Sequence, residues 1–169
     1  MAAGRTYTPI ATTTLTSAQA SVTFSSISGS YTDLVLVIAG GTNAAADWGI
    51  RFNSDSATNY SRTYLSGDGT TASSGRISNY SGGMIPMNYN GYPENNTNFN
   101  SIVNIMNYSN ATTYKTVVSR TNNAARGTDA VVGLWRSTSA ITSVDVRTIT
   151  ASTTWQPGTT FTLYGITAA

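Results

Sequence analysis

The side chains that could carry out acid–base or nucleophilic chemistry are few in this chain. Its 169 residues contain no His and no Cys, nine Lys and Arg, and seven Asp and Glu. Thiol catalysis, zinc fingers, disulfide frameworks and any reaction with a histidine base are therefore excluded. The single lysine, Lys115, lies in Tyr114–Val118, where alternation predicts that it faces solvent. We therefore expect no serine–lysine catalytic pair.

The carboxylates are too dispersed to predict an active site or a metal centre. Glycoside hydrolysis needs two carboxylates at a set separation, one with a raised pKa. Most of those present stand in turn contexts such as Asp68-Gly69 and Thr128-Asp129, where aspartate accepts local backbone hydrogen bonds. The segment Asn53–Ser56 with Asp68 lacks the ligand spacing of a calcium loop. We expect no enzyme, no metal and no cofactor. The carboxylates are Asp33, Asp47, Asp55, Asp68, Glu94, Asp129 and Asp145.

Nucleic acid and membrane are not the expected partners. Nucleic-acid binding needs a concentrated positive field, whereas the net charge is +2 and the arginines stand singly. The longest apolar run, Leu34–Ala39, is far shorter than the roughly 20 residues of a membrane helix. Met1–Pro9 has no apolar core like that of a signal peptide, so we expect synthesis in a cytosol. The arginines are Arg5, Arg51, Arg62, Arg76, Arg120, Arg126, Arg136 and Arg147.

The spacing of apolar side chains predicts an all-β fold. Trp48, Ile50 and Phe52 alternate with smaller or polar residues, as in a strand with one buried face. Leu34–Ile38 is a continuous apolar run, typical of a central strand covered on both faces. Such runs recur every 10 to 20 residues between Gly, Asn and Ser clusters. About ten short strands in one domain indicate an antiparallel β-sandwich, jelly-roll-like because the gaps are irregular.

We divide the chain into an extended N-terminal arm, residues 1–10, and one sandwich domain, residues 11–169. A long connection, Ser81–Asn98, contains Gly82-Gly83 and two prolines. Loops of this length usually bind something or pack on a neighbour. Tyr80, Tyr89 and Tyr92 bracket a Gly- and Asn-rich stretch there, which is a mixture suited to adaptable contacts. The alternative, which stays open, is that these tyrosines pack over strand ends or into subunit contacts.

Several short segments, taken in order, resemble a family of small β-rich structural proteins and modules of tailed bacteriophages. The resemblance runs from about residue 15 to the end, and Ser81–Asn98 matches poorly. The segments are Tyr31–Leu36, Ile50–Asn53, Asn59–Thr63, Gly67–Ser74, Asn107–Asn110, Tyr114–Val117, Gly133–Ser137 and Phe161–Ile166.

The resemblance implies a component of the virion surface with no catalytic motif, made in the host bacterial cytoplasm. Within it we expect a capsid decoration, or cement, protein that binds the major capsid protein, as a homotrimer whose copies cover each other's apolar faces. Arg5, Tyr7 and Ile10 in the arm, with Trp155 near a Pro-Gly turn, are the expected contacts. The alternative is a receptor-binding tail tip or fibre domain that meets host polysaccharide through Tyr80, Tyr89 and Tyr92.

Overall fold

The computed structural model describes residues 6–95 and 99–167, and within these ranges every regular element except one short 3-10 helix is a β-strand. No helix among the described residues is long and apolar enough to cross a membrane. The 3-10 helix is Tyr89–Gly91. The eleven strands are β1 Tyr7–Thr14, β2 Ser21–Phe24, β3 Asp33–Gly40, β4 Trp48–Phe52, β5 Tyr60–Gly67, β6 Ala72–Tyr80, β7 Phe99–Met106, β8 Lys115–Asn123, β9 Gly127–Trp135, β10 Val144–Thr148 and β11 Thr160–Ile166.

These strands form two antiparallel sheets of unequal size, which confirms the predicted β-sandwich. The larger sheet has eight strands in the order β1-β11-β3-β7-β8-β9-β5-β6, and the smaller has three in the order β2-β10-β4. Hairpin pairs join β5 to β6, β7 to β8 and β8 to β9. Other neighbours, such as β3 with β11, are far apart in the sequence. Long crossovers therefore hold the two ends of the chain in one sheet.

The predicted boundary after Ile10 falls inside a strand. β1 pairs with β11 from Tyr7 opposite Ile166 to Thr14 opposite Thr160, with a register shift between Pro9 and Ala11. β1 is the edge of the large sheet, where a proline without an amide proton is tolerated. Residues 7–10 are thus part of the sandwich, which corrects the expected separate arm. Arg5 lies outside the described residues.

Part of the core is a cluster of buried aromatic rings between the two sheets. The Trp155 ring lies 5.8 Å from Trp48 and 5.1 Å from Phe161, measured between centroids, with near-perpendicular edge contacts. Phe52 lies 5.5 Å from Trp135. Each such ring buries about 150–250 Å². The three tryptophans are all fully or nearly fully buried, so they are core residues.

Three strands are too few to cover the inner face of eight, and a connecting segment fills the gap. We call Ser81–Asn95 the strap. It begins as an extra pairing on β4, because the amides of Met84 and Ile50 each donate to the other's carbonyl at 2.8 Å. It then crosses the inner face of β8 and β9, where Ser119 and Thr121 donate to the Pro86 carbonyl at 2.7 and 2.9 Å.

The middle of the strap is held by Asp129, a buried residue of β9 and not the turn residue that its sequence context indicated. Its Oδ2 accepts hydrogen bonds from the amides of Asn88 and Gly91, both at 2.6 Å. Its Oδ1 accepts from the Ser66 hydroxyl at 2.5 Å. A Cβ on Gly91 would lie 2.5 Å from Oδ2, so only glycine allows this close approach. Asp129 thus joins the strap to β5 and β9.

Lys115 is also buried, which corrects the prediction that it faces solvent. It lies on the inner face of β8 with Val117, and its whole side chain is inaccessible. The ammonium donates to the carbonyls of Thr113 at 2.7 Å and Thr138 at 3.3 Å. Burial lowers the pKa of Lys115, because an apolar environment disfavours the charged form. The two loop carbonyls give it a structural role.

Removal of the charge on Asp129 should release the strap. Both carboxylate oxygens of Asp129 accept hydrogen bonds. In Asp129→Asn, an NH₂ group replaces one of them and cannot accept from the N–H or O–H donor that faces it. We expect the free energy of unfolding to fall by about 2–4 kcal/mol, since hydrogen bonds to a buried charge contribute about 1.5–3 kcal/mol each. Urea denaturation measures this. Asp68→Asn, in an exposed turn, keeps the acceptor for the Thr70 and Thr71 amides and should stay within about 0.5 kcal/mol of the wild type. Equal midpoints for both variants would contradict the anchoring role.

Tyr60 should make stability fall at alkaline pH. Its buried hydroxyl accepts from the Phe52 amide at 3.2 Å and donates to the Asp55 carbonyl at 3.1 Å. Burial raises the pKa of Tyr60 to about 12. Because the unfolded tyrosine ionises near 10, the stabilisation is complete below pH 10 and is lost between about pH 10 and 12, by about 2–3 kcal/mol.

Urea denaturation of Tyr60→Phe between pH 8 and 11.5 tests this pH dependence. We expect the variant to be less stable at pH 8 by about 1–2 kcal/mol, since a buried donor and acceptor lose their partner. Its decline above pH 10 should be shallower than that of the wild type. The exposed Tyr114→Phe is the control and should follow the wild type. Parallel curves for Tyr60→Phe and the wild type would contradict the assignment.

Candidate functional site

Two of the three tyrosines predicted for the long connection come together on its surface. We call Tyr89, Tyr92, Glu94 and Arg126 the strap cluster. The two tyrosine rings lie 5.1 Å apart, and the Arg126 guanidinium lies 5.0 Å from Tyr89 and 5.7 Å from Tyr92, measured to the ring centroids. The Glu94 carboxylate pairs with Arg126, and this hydrogen-bonded pairing raises the pKa of Arg126.

The strap cluster is mainly a packing arrangement with one exposed ring. Tyr92 is half-buried, and its carbonyl accepts from the Asn123 amide at 2.5 Å. Burial raises the pKa of Tyr92 to about 12. Tyr89, in contrast, is 61% exposed. Aromatic and guanidinium groups in this arrangement can stack on a flat ligand, but most of the surrounding strap is turned toward the core.

Tyr80 does not belong to this cluster. Tyr80 ends β6 and lies opposite Tyr60, the first residue of β5. Arg126 directly precedes Gly127, the first residue of β9, which pairs with Asn123. Because β5 and β9 are antiparallel, Tyr80 and Arg126 lie at opposite ends of these strands. Tyr80 is half-buried and lies against Gly82, where a Cβ would meet its ring at 2.4 Å. Tyr89 and Tyr92 therefore lie together, and Tyr80 lies apart from them.

The described residues that were predicted to contact a partner differ in their accessibility. Tyr7 is exposed and makes an edge contact with Tyr164, with centroids 6.2 Å apart. Ile10 is half-buried and packs against the core. Trp155 is fully buried between the sheets, so it is not accessible to a partner, which corrects that prediction. Its Pro-Gly turn is exposed, but the indole points inward.

The segment weighed for calcium is a hydrogen-bonded turn, as expected. The Asp55 carboxylate accepts from the Trp135 indole at 2.7 Å, from the Asn59 amide at 2.9 Å and from the Ala57 backbone at 2.8 Å. Desolvation acts to raise the pKa of Asp55, but these hydrogen bonds outweigh it and the net shift is downward. Across residues 6–95 and 99–167, no group of three Asp, Glu, His or Cys side chains is placed to hold a metal ion.

A second candidate site, not predicted from the sequence, is the side of the eight-stranded sheet that faces away from the smaller sheet. We call it the outer face. The neighbouring strands β5, β9 and β8 expose Leu65 at 64%, Val132 at 56% and Val118 at 39%, and Tyr7 on β1 is 57% exposed. Val118 and Val132 are directly opposite each other in the β8–β9 ladder. Tyr7 and Val118 line one open depression.

The sequence does carry a signal for this surface. In β8 and β9 apolar residues occur in adjacent pairs, Val117-Val118 and Val131-Val132, and consecutive strand residues point to opposite faces. One member of each pair is buried in the core and the other is exposed. Two adjacent valines place one apolar side chain on the core face of a strand and one on its solvent face. Such a pair therefore indicates that the solvent face is also adapted to contacts.

The outer face carries positive charge beside its apolar centre. Arg120 on β8 lies opposite Ile102 and Ala130, and Arg76 on β6 lies opposite Thr63. In the part of the chain that the structure describes, Arg126 and Arg147 form ion pairs, whereas Arg120 and Arg76 form none. Asp33 lies at the far end, on β3, where it accepts from the Asn107 amide at 2.6 Å. The face can therefore bind a partner through apolar contacts and guanidinium ion pairs.

Comparisons with known proteins identify no family. No family model matches the chain, and no curated protein matches it. Among solved structures, it is similar to the galectin LEC-6 of Caenorhabditis elegans, with 11% identity, a TM-score of 0.36 and coverage of 93% of this chain and 96% of that one. It is also similar to a functionally unknown protein from Saccharomyces cerevisiae, with 10% identity, a TM-score of 0.32 and coverage of 88% and 73%.

Substitutions should separate the buried tryptophan from the exposed tyrosine. Trp155→Ala should lower the free energy of unfolding by about 3–5 kcal/mol, because it opens a cavity in the aromatic core. Trp155→Phe, which keeps an aromatic ring, should cost less and serves if the alanine variant does not fold. Tyr7→Ala should cost about 1 kcal/mol or less. Urea denaturation measures all three, and a Trp155→Ala variant as stable as Tyr7→Ala would contradict the placement of Trp155.

Proposed function

We propose that this protein is a non-enzymatic structural protein of a tailed bacteriophage particle, and that it decorates the capsid by docking on the shell through its outer face. The observation that carries the proposal is the exposed apolar centre of that face, formed by Leu65, Val118 and Val132. The resemblance of the chain to β-rich phage proteins supports the context. Exposed apolar patches on otherwise well-packed domains mark interaction sites.

The physical basis of docking is burial of apolar area on a rigid platform. The outer face consists of paired strands whose inner face is fixed by the core and by the strap, so little conformational entropy is lost on binding. Apolar area removed from water contributes about 25 cal/mol per Å². A single weak contact of this kind becomes effective when several linked copies bind together, and the proposed homotrimer supplies that multivalency.

Purified particles of the phage that encodes the protein provide the direct test of location. We expect many copies per particle, distributed over the head, as measured by quantitative mass spectrometry and by imaging of labelled protein. A few copies confined to the tail would contradict capsid decoration, and so would absence from the particle.

The outer face is tested by a charge placed at its centre. Val132→Asp should reduce binding to shells that lack the protein by at least about tenfold, since a carboxylate must be desolvated at the contact. Ala45→Asp adds the same charge at an exposed loop position away from this face and should bind like the wild type. Sedimentation of protein with shells measures binding, and urea denaturation confirms that both variants fold. Equal binding by Val132→Asp and the wild type would contradict docking through this face.

A second candidate function is receptor binding by the strap cluster at a tail tip or fibre. The observation that favours it is the exposed ring of Tyr89 next to Tyr92, which can stack on a sugar. In this case the isolated protein binds host cells or their surface polysaccharide, and Tyr89→Ala abolishes that binding. Tyr114→Ala removes an equally exposed tyrosine outside the cluster and is the control. Binding to empty shells but not to cells would reject this candidate.

A further inference from the structure

The outer face has an unbalanced distribution of charge. On the five strands β7, β8, β9, β5 and β6, all of them within the described residues, the outward charged side chains are Arg120 and Arg76. The charged residues Lys115, Asp129 and Arg62 of these strands are buried on the inner side. No carboxylate therefore stands on this part of the outer face.

The register places the two guanidiniums on either side of the apolar centre. One row across the strands runs Val118, Val132, Thr63 and Arg76, and the next runs Arg120, Ala130 and Leu65. Adjacent strands are about 4.8 Å apart and successive rows about 7 Å. Arg120 and Arg76 are three strands and one row apart, so their backbones are separated by about 16 Å.

From this arrangement we infer that the outer face binds an acidic protein surface that is apolar at its centre and carries carboxylates that pair with Arg120 and Arg76. The inference rests on the proposed function, because it names the chemistry of the partner at the proposed docking face. Neither arginine has an ion-pair partner within the described chain. Both guanidiniums are therefore available for bidentate pairing with carboxylates, which their planar geometry favours.

A second copy of the same face does not fit as the partner. A two-fold pairing of this face with itself would bring the arginines of both copies into one contact without carboxylates on these strands to neutralise them. Buried charges without a partner are strongly unfavourable, and like charges across an interface select against that pairing. The contacts of the proposed homotrimer must therefore use other surfaces. Nucleic acid fits poorly as well, since two arginines flanking apolar side chains do not follow a phosphate backbone.

Binding of the full chain to shells that lack it, measured at 50, 150 and 500 mM salt, tests this inference. We expect wild-type affinity to fall at least about tenfold over this range. Arg120→Gln and Arg76→Gln should each weaken binding at 50 mM salt by about three- to tenfold, and the double variant should lose most of the salt dependence. Arg147→Gln, whose guanidinium pairs with Asp145 on the smaller sheet, is the matched control and should bind like the wild type.

The possible failures can be distinguished. If wild-type protein does not bind shells, the proposed function fails and the inference with it. A second outcome is that the wild type binds shells, Val132→Asp does not, and the arginine variants bind like the wild type at every salt concentration. This outcome would refute the acidic partner and would leave docking through this face intact. Two further results would refute the acidic protein partner. The first is that the protein self-associates and Val132→Asp abolishes this self-association. The second is that the protein binds a 20-base-pair DNA duplex and the arginine variants abolish this binding.

Discussion

The structure depends on the coverage of a sheet that is much larger than its partner. Eight strands present one continuous inner face, and three strands cover part of it. The remainder, over β8, β9 and β5, bears Ser66, Ser119, Thr121 and Asp129. Buried polar groups must be hydrogen-bonded, and the backbone of the strap supplies the partners. Asp129 is central, because one carboxylate fixes two strap amides and a strand hydroxyl.

This constraint determines which surfaces remain for function. Much of the strap packs against the core. Of its two tyrosines, Tyr92 is half-buried and Tyr89 is mostly exposed. Within residues 6–95 and 99–167, no segment covers the outer face in this way. Its strands are fixed from the inside, and they expose valine, leucine and arginine on an otherwise uncharged polar surface. Binding by a preformed sheet face is the role that we propose for this arrangement.

The strands were predictable from the sequence, whereas the polar interior was not. Alternation identified Trp48–Phe52, and a continuous apolar run identified Leu34–Ile38, because strand geometry determines both patterns. The same rule misassigned Lys115, since periodicity does not reveal that two loop carbonyls compensate a buried ammonium. It also could not show that Asp129 meets the strap, because that contact joins residues about 40 positions apart. Trp155 was expected near a surface turn, but its indole enters the core.

The central claim is that the outer face is the docking surface of a particle protein. A cryo-electron microscopy map of the particle, at a resolution that places the sandwich, tests this most directly. The account predicts that β8 and β9 face the capsid shell, with Val118 and Val132 buried at the contact and Arg120 beside a carboxylate of the shell. A map in which this face points to solvent, while the strap cluster or the smaller sheet contacts the particle, would contradict it.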